Sequence, residues 1–172
     1  MRVHSFPPEV GPHARVLVLG SMPGAASLAM QKYYGNARNH FWRVIYGLFG
    51  LSPDEDYEAR LAFAKERGIA LWDTIASCQR EGSLDANIRE ELPNDIPGLL
   101  EEHPGIRCIA CNGTKSHDSF RKSFGSLPEQ NGLTLLKLPS TSPIPTPAMR
   151  TTEDRIEAWR ILLPYLNPLE TT

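Results

Sequence analysis

The chain has 172 residues, of which 41% are hydrophobic and 22% charged, with a net charge of −2. That length suits one domain with a full three-layer core, and the composition is ordinary for a globular protein. No apolar run reaches the ~18 residues a membrane span needs, the N-terminus lacks the apolar core of a signal peptide, and the charge balance gives no whole-protein basic signature.

In chain order, the first apolar run covers 15–20 and reads as a buried strand running into Gly20-Ser21-Met22-Pro23-Gly24. A tight turn at the end of a buried strand is where open α/β sheets bind ligands. Next comes Tyr33-Tyr34-Gly35-Asn36-Ala37-Arg38-Asn39, then a helix over 40–49 with Phe41, Trp42, Ile45, Leu48 and Phe49 on one side. Asn39 suits its N-cap and Gly50 its stop. Lys32, Arg38 and Arg43 carry no acidic neighbour within 31–43, so one positive face is expected on an acidic molecule. A charged amphipathic helix follows over 54–67, ending at Gly68.

Further strands are expected at 69–72, 106–111 and 133–138, with helices from Asn94 to Glu102 and over 114–124. The last helix starts at Thr152-Glu153-Asp154 and stops near Pro164. Strands alternating with helices predict an α/β fold: three α/β/α layers around a central four-stranded, mainly parallel sheet. The proline-rich run 139–147 lies between core elements and is read as a rigid loop on the ligand side of the sheet. Cys108 and Cys111 form a C-x-x-C, but strand residues three apart face opposite ways and no second ligand pair exists, so no metal site is expected. Reduced thiols fit a cytoplasmic protein.

The topology brings four segments to the carboxyl edge of the sheet: the Gly20–Gly24 turn with the Tyr/Asn stretch, Leu71-Trp72-Asp73, Cys111-Asn112-Gly113-Thr114, and 139–147. Neither a P-loop, a dinucleotide fingerprint nor a G-x-S-x-G elbow is present. Asp73 and Asn112 stand at strand ends, where each is a candidate for bonding a ligand or for closing a local turn.

These motifs resemble the uracil-DNA glycosylase superfamily. Gly20-Ser21-Met22-Pro23-Gly24 is similar to the G-x-N-P-G strand end of its mismatch-specific members, and Asn39-His40-Phe41-Trp42-Arg43-Val44 to their N-R-F-W-K-V. The pattern G-S-M-P-G, Y-Y, N-x-F-W and Leu138-Pro139-Ser140-Thr141-Ser142-Pro143 resembles the hypoxanthine-DNA glycosylase branch more closely, as do Leu71-Trp72-Asp73 and Gly82-Ser83. The resemblance spans most of 15–165.

It implies a uracil-DNA glycosylase-like fold and hydrolysis of the N-glycosidic bond of deoxyinosine in double- or single-stranded DNA, without metal or cofactor, by a monomer. Met22 stands where other branches place a water-activating Asp or Asn, and the resemblance moves that role to Asn39. It assigns base stacking to Tyr34, and a base pocket to Gly20, Ser21, Met22, Pro23, Gly24, Asp73 and Asn112. DNA contacts fall to Ser140, Thr141, Ser142, Pro143 and Lys115, with Ile144 as the wedge entering the vacated stack and Arg121 and Lys122 extending the positive face. The alternatives are a mismatch-specific uracil or xanthine glycosylase of the same fold, and a non-catalytic DNA- or nucleotide-binding module. A nucleoside hydrolase would need an early acidic calcium motif, which is absent from the sequence.

Overall fold

The computed structural model describes residues 1–169. In chain order its elements are β1 (Arg2–His4), β2 (Val16–Gly20), α1 (Ala25–Met30), α2 (Phe41–Gly47), α3 (Tyr57–Glu66), β3 (Ile69–Asp73), β4 (Ile75–Gln79), a 3-10 turn at Asp85–Asn87 and β5 (Arg89–Pro93). Then follow α4 (Ile96–Glu102), β6 (Cys108–Asn112), α5 (Thr114–Phe124), α6 (Leu127–Gln130), β7 (Thr134–Leu138), α7 (Thr152–Trp159) and a closing 3-10 stretch at Arg160–Tyr165.

Four strands form a parallel sheet in the order β3-β2-β6-β7. β2 lies inside it, and Val16 to Leu19 are fully buried on both faces, as a central parallel strand requires. Side chains alternate across it. Val16 and Val18 pack with Phe41, Trp42, Ile45 and Trp159 on one face, while Leu17 and Leu19 pack with Ile96, Leu99, Ile109 and Phe120 on the other. The fold is thus α/β/α, with α2 and α7 on the first face and α4 and α5 on the second. Cys108 and Cys111 fall into opposite clusters, as their spacing predicts.

Register decides where the site lies. Gly20 pairs with Asp73, Leu19 with Cys111, and Asn112 with Leu138. Gly20, Asp73, Asn112 and Leu138 therefore end their strands in one row along the carboxyl edge.

Several boundaries differ from the sequence reading. The helix expected over 54–67 begins only at Tyr57, because the Asp56 carboxylate accepts from the Ala59 amide at 3.2 Å and Asp54 instead receives the Tyr46 hydroxyl at 2.8 Å. Asp95 caps α4 through the Gly98 amide at 3.1 Å, which places its start two residues after Asn94. The last helix turns to 3-10 geometry at Arg160 before Pro164.

The larger difference is a second sheet, β1-β4-β5, which is antiparallel throughout. Only Thr74 separates β3 from β4. Its amide donates to the Gly20 carbonyl at 2.8 Å and the Ile75 amide to that of Ser21 at 3.1 Å, so the chain leaves the main sheet while still bonded to the first turn. Among the described residues no helix is long and apolar enough to cross a membrane.

Candidate active site

A cavity of about 380 Å³ opens at the carboxyl edge, a size in the ordinary range for small-ligand sites. All four segments expected there contribute to its wall: Gly20 to Gly24 with Tyr34 and Asn39, Asp73, Asn112, and the loop from Ser140 to Ile144. Ser83, Leu84 and Asp85 complete the rim from the arm between β4 and β5.

The first turn is braced from beneath by that arm. Ser21 Oγ donates to Asp85 Oδ1 at 2.7 Å, the Ala25 amide donates to Ser83 Oγ at 2.8 Å, and the buried Arg80 guanidinium donates to the Pro23 carbonyl. Met22 contributes to the wall, but its side chain packs with Ile75, Cys78 and Ile88. It is 6% exposed and has no group that orients water. A Cβ on Gly20 would come within 2.5 Å of Asp73 Oδ1, so only glycine fits beside that carboxyl.

Tyr33 and Tyr34 divide as expected. Tyr33 is buried, and its hydroxyl donates to the Pro7 carbonyl at 2.8 Å. Tyr34 lies half-buried with φ of 54°, left-handed backbone that a bulky residue rarely adopts. Its ring stacks on Phe41, centroids 3.9 Å apart and planes 16° from parallel, and Tyr34 lines the cavity. Strain of this kind persists where the surroundings over-determine it, often at ligand sites. Here Asn112 Nδ2 donates to the Tyr34 hydroxyl at 3.2 Å.

Asn112 does more bracing than its position at a strand end suggests. Nδ2 also donates to Thr141 Oγ1 at 3.0 Å, and Oδ1 accepts from the Thr141 amide at 3.0 Å. Its amide joins the aromatic platform to the late loop, and both of its N–H donors are engaged there. Thr141 is 1% exposed, and its carbonyl takes the His40 amide at 2.9 Å. It braces the loop from inside and presents no hydroxyl to solvent. Ser140 and Ser142 differ: each hydroxyl accepts an amide two residues on, at 3.1 and 3.3 Å, which leaves its own proton to donate outward. Ile144 is 60% exposed at the cavity rim.

Asn39 is half-buried at the rim, and Oδ1 accepts from the Phe41 amide at 2.9 Å. The cap position of α2 itself is His40, whose ring Nδ1 lies 2.7 Å from Thr152 Oγ1. Asn39, expected as the cap, instead stands one residue before it and holds the Phe41 amide. That bond is compatible with chemistry: an amide oxygen has two lone pairs, and the bond to Phe41 fixes the plane in which the second points. Burial, then the charges of Arg155 and Arg43, hold the His40 imidazole below its usual range.

Two cations expected at the DNA face are engaged elsewhere. Lys115 lies outside the cavity wall, its ammonium 2.6 Å from Glu91, and Arg121 forks onto Glu129 at 2.8 and 3.3 Å. Arg38 is exposed close to the rim, while Arg43 bends back to the carbonyls of Arg38 and Asn39. Sequence reasoning passed over Arg155. It is 1% exposed on α7 and donates to the carbonyls of Ser140, Ser142, Ile144 and Thr151 at 3.0, 3.2, 3.5 and 2.9 Å. A buried guanidinium gripping successive loop carbonyls explains how a proline-rich run keeps one shape. Its only sequence signal is the threonine-led helix start that follows the loop.

Known proteins resemble this chain over most of its length. Residues 7–163 match the family model of the uracil DNA glycosylase superfamily. A protein of Methanosarcina acetivorans described as a hypoxanthine DNA glycosylase is 40% identical over 112 residues, covering 64% of this chain and 71% of the relative. A protein of Methanosarcina barkeri with the same description is 34% identical over 117 residues, 67% of this chain and 74% of the relative. The solution NMR structure of a candidate uracil DNA glycosylase from Methanosarcina acetivorans superposes with a TM-score of 0.79 at 34% identity, covering 95% of this chain and 97% of that one. A parallel sheet whose strand ends assemble a glycine-walled, tyrosine-floored cavity, and a family match over almost its whole length, place this chain in the uracil DNA glycosylase superfamily.

Proposed function

We propose that this enzyme is a monofunctional DNA glycosylase that hydrolyses the N-glycosidic bond of deoxyinosine in DNA and releases hypoxanthine. The observation that carries the reading is the Tyr34 platform, backed by Phe41 and set across from a glycine wall, with Asn39 at the rim. A base turned out of the duplex stacks on Tyr34, while the narrow wall admits it edge-on beside Gly20. Unstacking costs a few kcal/mol, and Ile144, exposed at the rim, is suited to fill the gap left behind. Ser140 and Ser142 are positioned for phosphate oxygens. The relatives described as hypoxanthine DNA glycosylases support the choice of base.

The chemistry follows from the neutrality of Asn39. An amide cannot take a proton from water ahead of attack. The glycosidic bond therefore breaks first, and the developing oxocarbenium sugar is met by a water held on the free lone pair of Asn39 Oδ1. Among the described residues no lysine lines the cavity to form a Schiff base, which supports hydrolysis without strand cleavage.

The test is incubation with a labelled duplex carrying one deoxyinosine, followed by alkali. A strand break at the lesion is expected, strongest for hypoxanthine in a panel that includes uracil and xanthine. Binding without any abasic product would overturn the assignment. Within the same assay, Tyr34→Ala should weaken productive base binding by about 1–3 kcal/mol, whereas Tyr34→Phe should retain most of it. Equal saturation curves for Tyr34→Ala and the parent enzyme would reduce Tyr34 to a core residue.

A further inference from the structure

We infer that Asp73 is the general acid of this reaction: its carboxyl group protonates the departing purine. The inference rests on the glycosylase reading above and adds a catalytic group to it.

The geometry is unusual for a carboxyl group. Asp73 ends β3 directly opposite Gly20, is 4% exposed and lines the cavity. Its Oδ2 is buried and makes no hydrogen bond among the described residues. No lysine or arginine there reaches ion-pairing distance of it; Arg80 directs its own hydrogen bond to the Pro23 carbonyl instead. A buried carboxylate without a partner is expensive, so burial favours the protonated form. Residues around it act in both directions. Arg80 and Asp85 face it from the arm, the first favouring ionisation and the second opposing it, and the Tyr33 and Tyr34 phenols lie on the cavity side. Burial outweighs the rest and pushes the carboxyl up to about 7.

Other acidic groups of the wall are less suited. Asp85 already accepts from Ser21, and burial moves the Tyr33 and Tyr34 phenols far above neutrality. Asp73 alone can release a proton near pH 7 at the cavity surface. The need for one is chemical. When the C1′–N9 bond breaks, its electron pair passes into the purine, and a proton moving from Asp73 to a ring nitrogen of the base, N7 in the intact ring, neutralises that charge. Water then adds its oxygen to C1′, and the proton it loses restores the carboxyl through solvent. The sum is hydrolysis to neutral hypoxanthine and an abasic sugar. An acid on the leaving group and a neutral amide on the water divide the work that two carboxylates share in sugar hydrolases.

The experiment measures single-turnover rates at saturating enzyme, on the deoxyinosine duplex, from pH 5 to 9. For the parent enzyme the rate should be level below about pH 7 and fall roughly tenfold per unit above it, the sign expected of an acid active when protonated. Asp73→Asn should be slower at pH 6 by about 10²–10³-fold, flat with pH, and near the parent rate at pH 9. Its affinity for a duplex carrying the uncleavable 2′-fluoro-arabino analogue should stay within about threefold of the parent at pH 6, since amide and acid are both neutral donors. Its melting temperature should match the parent near pH 4 and exceed it at pH 8. A group raised in the folded state contributes stability below its unfolded value and loses it as pH rises through about 7.

Parallel pH profiles for the two proteins, or a loss of analogue binding that accounts for the whole rate defect, would overturn the assignment. Should Asp73→Asn fail to fold, the parent enzyme decides alone: a rate that does not fall above pH 7, with ¹³C NMR showing an ionised Asp73 carboxyl at pH 6, sinks the acid. Absence of cleavage at every pH counts against the glycosylase reading; cleavage with a flat profile counts against Asp73 only.

Discussion

Replacing Asn39 with alanine should lower the single-turnover rate on a deoxyinosine duplex by about 10²–10³, the usual effect of losing one positioned polar group. The argument depends on how the carboxamide is held. Oδ1 accepts from the Phe41 amide, so the side chain cannot rotate freely, and its remaining lone pair has one direction. Alanine also removes the bond to the Phe41 amide, which costs about 1 kcal/mol of stability and a few degrees of melting temperature. Asn39→Asp separates the two contributions. It preserves that acceptor and an acceptor for water, so it should keep parental stability and recover part of the rate. A parental rate in Asn39→Ala, within twofold, would leave Asn39 as a brace for the start of α2 and nothing more.

Arg155→Met should destabilise the protein by about 3 kcal/mol, roughly 5–10 °C in melting temperature, and weaken duplex binding at least tenfold. Methionine fills similar volume, so the loss measures the hydrogen bonds: four carbonyls, three in the loop that carries Ser140, Ser142 and Ile144, lose a shared donor. Each buried carbonyl left unpaired costs about 1–3 kcal/mol unless the loop moves to reach water, and such movement takes the wedge away from its place. Arg155→Lys should recover little, since a single ammonium cannot span carbonyls that a planar fork reaches together. Thermal denaturation and a binding titration check both parts; a melting temperature within a degree of the parent would mean the loop is held by its prolines.

Much of this was legible from residue types because it depends on short-range pattern. The four parallel strands are apolar runs bounded by turn residues, and their order along the chain brought Gly20, Asp73, Asn112 and the late loop to one edge. Tyr33 and Tyr34 were separable as core and platform. What sequence did not disclose depends on distant partners. Arg80 and Arg155 look like ordinary surface charges until the carbonyls they serve are in place. Lys115 looked free until β5 brought Glu91 to it. Thr141 and Asn112 looked available for ligand, but they bond each other twice, the second N–H of Asn112 goes to the Tyr34 hydroxyl, and the Thr141 carbonyl takes the His40 amide. The strands of the second sheet were passed over because they are short and β4 follows β3 after a single residue.

That second sheet gives the cavity two foundations of unequal strength. One wall hangs from β2, inside the main core; the brace beneath it comes from Arg80, Ser83 and Asp85, on an arm whose last strand, β5, is exposed at most of its positions. Cooperative units of this kind open separately, the less buried one first. Warming or mild denaturant should then blur the binding site while the parallel sheet is still intact, so that loss of activity and loss of fold become two events with two midpoints. For this enzyme, being folded and being shaped for its lesion are separate conditions.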